Sequence, residues 1–125
     1  MNTENKTKEK FFIDTVTYTA IRQPFEQIRA LVVQWFRDRR IVPNSTAATQ
    51  TLKAVSEMGE LADAVLKGDR GKIVDGVGDV TVCLIGVCEL LGLDFVACLE
   101  AAYDEIKDRK GVLLPNGVFA KEVAE

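Results

Sequence analysis

The chain has 125 residues, 47% of them apolar, enough for one domain with a core of its own. Charged residues make up 28%, 19 acidic against 16 basic, and the formal net charge of −3 gives no general electrostatic basis for binding nucleic acid or an anionic membrane. There is no histidine, which excludes the commonest general base and zinc ligand and leaves carboxylates, cysteines, Lys/Arg or a bound metal to carry any chemistry.

In chain order, residues 1–10 are polar and mixed in charge, a flexible lead-in without the apolar core of a secretory signal. The segment 11–21 is ambiguous: Val16, Thr17, Tyr18 and Thr19 favour extended structure, yet no other strong strand signal offers a partner. It reads as an arm available to pack on another helix or subunit. From Pro24, a good first-turn residue, Phe25, Ile28, Leu31, Val32, Trp35 and Phe36 follow the spacing of an amphipathic helix that ends near Arg39 and Arg40, before Pro43.

Asn44, Ser45 and Thr46 offer N-caps for a second helix, whose apolar stripe is Leu52, Val55, Met58, Leu61, Ala62 and Val65 and whose stop is Gly68. Asp69 caps a third, running to about Leu91 with Gly92 as its stop. Its second half, 80–88, is apolar nearly all round and must be buried by its own bundle or by a second subunit, although the charged Glu89 keeps the run well short of the roughly 20 residues of a membrane span. Asp94 opens a fourth helix through Phe95, Leu99, Ala102, Tyr103 and Ile106, closing among Lys107, Arg109 and Lys110, where positive charge suits a helix C-terminus.

Leu113-Leu114-Pro115-Asn116-Gly117-Val118-Phe119 then carries a turn between two short apolar pieces, followed by a charged tail. Cys83, Cys88 and Cys98 have neither C-x-x-C spacing nor an even count, so they read as small core residues in a reducing cytoplasm. The pattern predicts an all-α helical bundle of about four helices with short terminal extensions, in a single domain over 11–125.

The chemistry concentrates on two helices. Glu57 and Glu60 are three apart on one, Asp75 and Asp79 four apart on the next, so each pair shares a face. If these helices are antiparallel neighbours, both pairs stand at about the same height above the connecting turn. Four converging carboxylates repel unless a cation sits between them, and hard oxygen donors in that number suit Mg²⁺ or Mn²⁺, which in turn bind phosphates. The plainer alternative is a solvated acidic face. Against it, Asp79 directly precedes the most apolar segment and Asp75 shares its stripe, whereas Asp63 and Asp69 look like ordinary solvent and capping residues.

The run Lys53-Ala54-Val55-Ser56-Glu57-Met58-Gly59-Glu60-Leu61-Ala62-Asp63-Ala64, followed by Asp75-Gly76-Val77-Gly78-Asp79-Val80, resembles the MazG-like all-α nucleoside triphosphate pyrophosphohydrolases. That family carries an E-x-x-E pair on one helix and an E-x-x-D pair on the next. The resemblance covers roughly residues 45–120, including the basic Lys107-Asp108-Arg109-Lys110 and the Asn116-Gly117-Val118-Phe119 turn. Glu57 and Glu60 match the first pair and Asp79 the Asp of the second, while Ser56 stands where many members have another Glu. Gly76 stands where the remaining Glu would be. Asp75, one residue earlier and offset by about 100°, is expected to substitute in part, and Gly76→Glu to restore the ligand.

The resemblance implies hydrolysis of a nucleoside or deoxynucleoside triphosphate to monophosphate and pyrophosphate, with Mg²⁺ (or Mn²⁺) held by Glu57, Glu60, Asp75 and Asp79, and with Glu57 or Glu60 as general base. Lys53, Lys107, Arg109, Lys110 and Asn116 are then candidates for substrate contact, each with a plain structural alternative. Trp35 and Phe36 are candidates to stack a base, though their helical spacing suits the core. A homo-oligomer, dimer or tetramer, is expected from the family and from the over-apolar 69–91 helix. Two other readings stay open: a protein that holds nucleotide and Mg²⁺ without turnover because of Gly76, and a purely structural helical assembly module.

Overall fold

Pro24 sets the start of the first helix, α1 (Phe25–Asp38), its carbonyl accepting from the Gln27 and Ile28 amides at 3.1 and 3.2 Å. In the computed structural model, which describes residues 23–123, α1 stops at Arg39 and Arg40, the latter in the left-handed conformation. The expected lead-in at 1–10 and arm at 11–21 lie outside the described residues. A single turn that the sequence reading did not foresee, α2 (Ile41–Asn44), follows and buries Val42.

The next two helices are bounded by the local signals expected of them. The Thr46 hydroxyl accepts from the Thr49 amide at 3.1 Å to open α3 (Ala47–Lys67), and Gly68 closes it at φ 69°. The Asp69 carboxylate accepts from the Lys72 amide at 3.2 Å to open α4 (Arg70–Leu91), and Gly92 closes it at φ 68°. Both glycines occupy the left-handed region that a side chain disfavours.

Helices α1 to α4 form one packed unit, residues 23–92, in which the α3–α4 pair makes the most extensive contact. Its core is Phe36, Val42, Ala54, Ala64, Val80, Cys83, Ile85 and Cys88. Small residues decide where the helices meet. A Cβ on Gly76 would lie 3.0 Å from the Leu61 Cβ and 3.2 Å from its Cα, and one on Gly86 would lie 2.6 Å from the Phe36 ring, so each glycine admits a neighbour that alanine would displace. Arg37 and Glu89, 3.1 Å apart, tie α1 to α4.

Two expectations are corrected here. The α3 stripe predicted to face the core mostly faces away from it: Leu52, Val55, Met58 and Val65 are exposed, and α3 instead buries Gln50, Ala54 and Ala64, with Leu61 half-buried. The small Ala54 and Ala64 on the buried face of α3 allow a closer helix approach than the bulky stripe would. Cys98, expected in the core, is exposed.

Residues 93–123 form a second unit. The Asp94 carboxylate accepts from the Ala97 amide at 2.9 Å to open α5 (Phe95–Ile106). The expected turn is the tip of a small antiparallel hairpin, β1 (Gly111–Leu113) and β2 (Phe119–Lys121), with Leu113 opposite Phe119 and Gly111 opposite Lys121. Apart from this hairpin, the regular structure among the described residues is all α, in five helices. No helix among them is long and apolar enough to cross a membrane by itself.

Candidate functional site

The α3–α4 seam brings the acidic residues of interest to two cavities that share one residue, Asp79. The first, about 470 Å³, is lined by Leu31, Val32 and Trp35 of α1, Lys53 and Glu57 of α3, and Asp79, Val82 and Cys83 of α4. The second, about 380 Å³, is lined by Glu60 and Asp63 of α3 and by Lys72, Asp75, Gly76 and Asp79 of α4. One cavity is mainly apolar and aromatic with a charged end, the other mainly acidic, and they meet at Asp79.

Local helix spacing accounts for each position. Lys53 and Glu57 are one turn apart, and the ammonium stands 3.3 Å from the carboxylate, which is only 16% exposed. Six residues after Glu57, Asp63 pairs with Lys67 at 2.9 Å. The four carboxylates singled out in the sequence therefore share one seam, divided between its two sides: Glu57 opens on the apolar cavity, Glu60 and Asp75 on the acidic one. Asp75 and Asp79 are exposed rather than drawn into the apolar face as their stripe suggested, and among the described residues no three Asp, Glu or Cys side chains are placed to share one metal ion.

Gly76 has a packing reason to lack a side chain. With Leu61 at 3.0 to 3.2 Å from any Cβ there, a glutamate would have to prise the two helices apart, so the expected gain from Gly76→Glu does not follow. Asp75, exposed and on the acidic cavity, carries no such conflict.

The two aromatic candidates separate. Phe36 is core, 2% exposed and edge-on to Trp35 at 5.3 Å, whereas Trp35 lines the apolar cavity and carries the Arg39 guanidinium 4.6 Å from its ring. Cys83 also lines this cavity. Burial pushes its thiol pKa up, the Lys53 ammonium pulls it down, and the Glu57 and Asp79 carboxylates push it up again. The thiol thus registers the charges of the site.

The remaining candidates lie in the second unit. Lys107 pairs with Asp104 at 3.2 Å, and Arg109 lies 3.9 Å from Glu105. Arg109 and Lys110 border a charged cavity of about 710 Å³ with Glu105, Asp108, Lys121 and Glu122. Asn116 accepts from the Val118 amide at 3.1 Å and, with Gly117 at φ 87°, shapes the hairpin tip.

Asp63 and Lys72 were missed as site residues. Asp63 was accessible to the same argument as the others, standing three residues after Glu60 on one face. Lys72 had no local signal, because its place opposite α3 depends on how the helices pair.

The chain matches no protein-family profile and no solved structure. An uncharacterized 18.2 kDa protein from the rep-hol intergenic region of Haemophilus phage HP1 is 32% identical over 71 residues, which are 57% of this chain and 44% of that protein. The chain thus matches less than half the length of that relative.

Proposed function

We propose that the chain is a metal-dependent pyrophosphohydrolase of nucleoside or deoxynucleoside triphosphates, releasing the monophosphate and pyrophosphate. One observation carries this: Asp79 joins an apolar, Trp35-lined cavity to an acidic one, so a subsite suited to a flat apolar base and one suited to cation-bridged phosphates adjoin across a single carboxylate. The residue-by-residue resemblance of Glu57, Glu60 and Asp79 to the MazG-like motif supports the same reading.

Glu57, Glu60, Asp75 and Asp79 are hard oxygen donors of the kind that suits Mg²⁺ or Mn²⁺, and since no three of them are placed to share one ion, water or substrate phosphate oxygens would complete its shell. When bound, such an ion neutralises charge on phosphate oxygens and lowers the pKa of a coordinated water. The chain's own residues position and deprotonate. Either Glu57 or Glu60 takes the proton of the attacking water, with Asp79 between the two cavities orienting the reacting end. Lys53 and Lys72, one in each cavity, offer ammonium groups to the triphosphate, and the flat face of Trp35 receives the base. Lys107, Arg109, Lys110 and Asn116 are further candidates for substrate contact.

A second reading, nucleotide and metal binding without turnover, is favoured by Gly76, whose packing against Leu61 leaves the second acidic pair one ligand short. One experiment separates the two. The protein is incubated with a panel of ribo- and deoxynucleoside triphosphates and Mg²⁺, with pyrophosphate and phosphate assayed separately. Pyrophosphate equimolar with monophosphate supports the enzyme. Binding of a triphosphate without release of either product assigns the second reading, and phosphate release alone contradicts both.

A further inference from the structure

We infer that the Lys53–Glu57 ion pair reads the edge of the base and selects guanine. The inference rests on the proposal that the Trp35-lined cavity receives the base, and it gives that cavity a specificity. Leu31, Val32, Trp35, Val82 and Cys83 supply the apolar walls against which a flat ring packs. The charged side chains of the cavity are Lys53, Glu57 and Asp79, and Asp79 is shared with the acidic cavity, which leaves Lys53 and Glu57 to meet the base. Glu57 is half-buried there. Its Oε1 accepts from the Lys53 ammonium at 3.3 Å, and among the described residues its Oε2 has no hydrogen-bond donor. The ammonium offsets the Glu57 charge and would repel a second cation placed beside it, so the pair suits a neutral ring better than a metal ion. Glu60, Asp75 and Asp79 then remain as the oxygen donors for the cation, and Glu60 remains to take the proton of the attacking water.

A carboxylate beside an ammonium presents acceptors next to donors. Guanine carries the complement along one edge: the N1–H and 2-amino N–H groups side by side, then the 6-oxo group. The two N–H groups donate in parallel to the Glu57 carboxylate, and the 6-oxo oxygen accepts from Lys53, so every bond is charge-assisted. Adenine and cytosine set a ring-nitrogen acceptor beside their amino group, and uracil and thymine hold one N–H between two carbonyls. In each of these a carboxylate oxygen faces a lone pair. Stacking on Trp35 holds any base, whereas the ion pair tells them apart.

Trp35 is the single tryptophan of the chain, so its fluorescence reports filling of the cavity without turnover or metal. The protein is titrated in EDTA with the monophosphates of guanosine, inosine, adenosine, cytidine and uridine. Guanosine monophosphate should bind on the order of 30-fold more tightly than the adenosine, cytidine and uridine compounds, and inosine monophosphate, which lacks the 2-amino group, about tenfold more weakly than guanosine monophosphate. In Glu57→Gln, checked for unchanged helicity by circular dichroism, the guanosine-to-adenosine preference should fall to within about threefold, because the amide nitrogen meets an N–H. The inference is overturned by equal binding of guanosine and adenosine monophosphates, by equal binding of guanosine and inosine monophosphates, by a preference that survives Glu57→Gln, or by the absence of quenching with all five. Pyrophosphate release is scored separately. Guanine preference without hydrolysis keeps the inference and removes the enzyme; hydrolysis of all triphosphates with equal kcat/KM and no guanine preference removes the inference and keeps the enzyme.

Discussion

Alanine placed at Gly76 and at Gly78 gives opposite results if the α3–α4 seam is as close as it stands. The two glycines share one helix and lie two residues apart, so helix propensity favours alanine at both by about 0.8–1 kcal/mol. At Gly78 the new Cβ meets nothing within 4 Å, and the full gain should appear. At Gly76 it meets Leu61 at 3.0 Å and the Leu61 backbone at 3.2 Å, so part of α3 must shift. Overpacking of this kind costs about 1–3 kcal/mol, which outweighs the propensity gain and leaves a net loss of roughly 0–2 kcal/mol. Leu61→Ala removes only the Cδ1 at 3.1 Å and keeps the Cβ and Cα at 3.0 and 3.2 Å, so Gly76→Ala should remain destabilising in that background. Urea denaturation with unchanged slope measures all of these. Equal stabilisation by alanine at both positions would refute the close seam, and with it the explanation of why no glutamate stands at 76.

Under the proposed function, Glu60→Gln or Asp79→Asn should lower pyrophosphate release several hundredfold or more, each removing a charged oxygen while keeping size and helix, at about 1.4 kcal/mol per factor of ten; near-parent activity in either would remove that residue from the site. The Cys83 thiol pKa, raised by burial and by Glu57 and Asp79, should move down in Asp79→Asn when its Cβ shift is titrated by NMR, and an unmoved midpoint would show that Asp79 does not face the thiol. Because folding raises this pKa, the associated stability is fully present at neutral pH and is lost as pH rises through the folded value, so alkaline melting should be shallower in Cys83→Ala. Replacing Asp69 by alanine removes the acceptor of the Lys72 amide and should cost about 1 kcal/mol by urea denaturation, with a silent mutation denying the cap any role.

Helix boundaries were legible because their signals are local. Thr46, Asp69 and Asp94 accept from the amide three residues on, and Gly68 and Gly92 adopt left-handed backbone, all within a few residues of the chain. Which face of α3 packs inward was not legible, because periodicity marks an apolar face without saying what covers it. The helix presents Leu52, Val55 and Val65 outward and seats Ala54 and Ala64 against α4, a choice fixed by Gly76 and Leu61 from different helices. The same limit applies to the site. Spacing placed Glu57 with Glu60 and Asp75 with Asp79, but the division of the seam into two cavities depends on Trp35 of α1 and Lys72 of α4, which no single stretch of sequence connects.

The central claim is that the carboxylates of the α3–α4 seam form a cation site rather than a solvated face, and melting curves test it without any substrate. Parent chain and Asp79→Asn are melted in EDTA and in millimolar Mg²⁺ at matched ionic strength. A cation that binds only the folded state should raise the parent melting temperature in Mg²⁺, and the gain should shrink in Asp79→Asn, while in EDTA the mutation should be neutral or stabilising because it eases like-charge repulsion. Superimposable parent curves in EDTA and Mg²⁺, with Asp79→Asn no different in its response, would contradict the account and leave the acidic seam as ordinary screened surface charge.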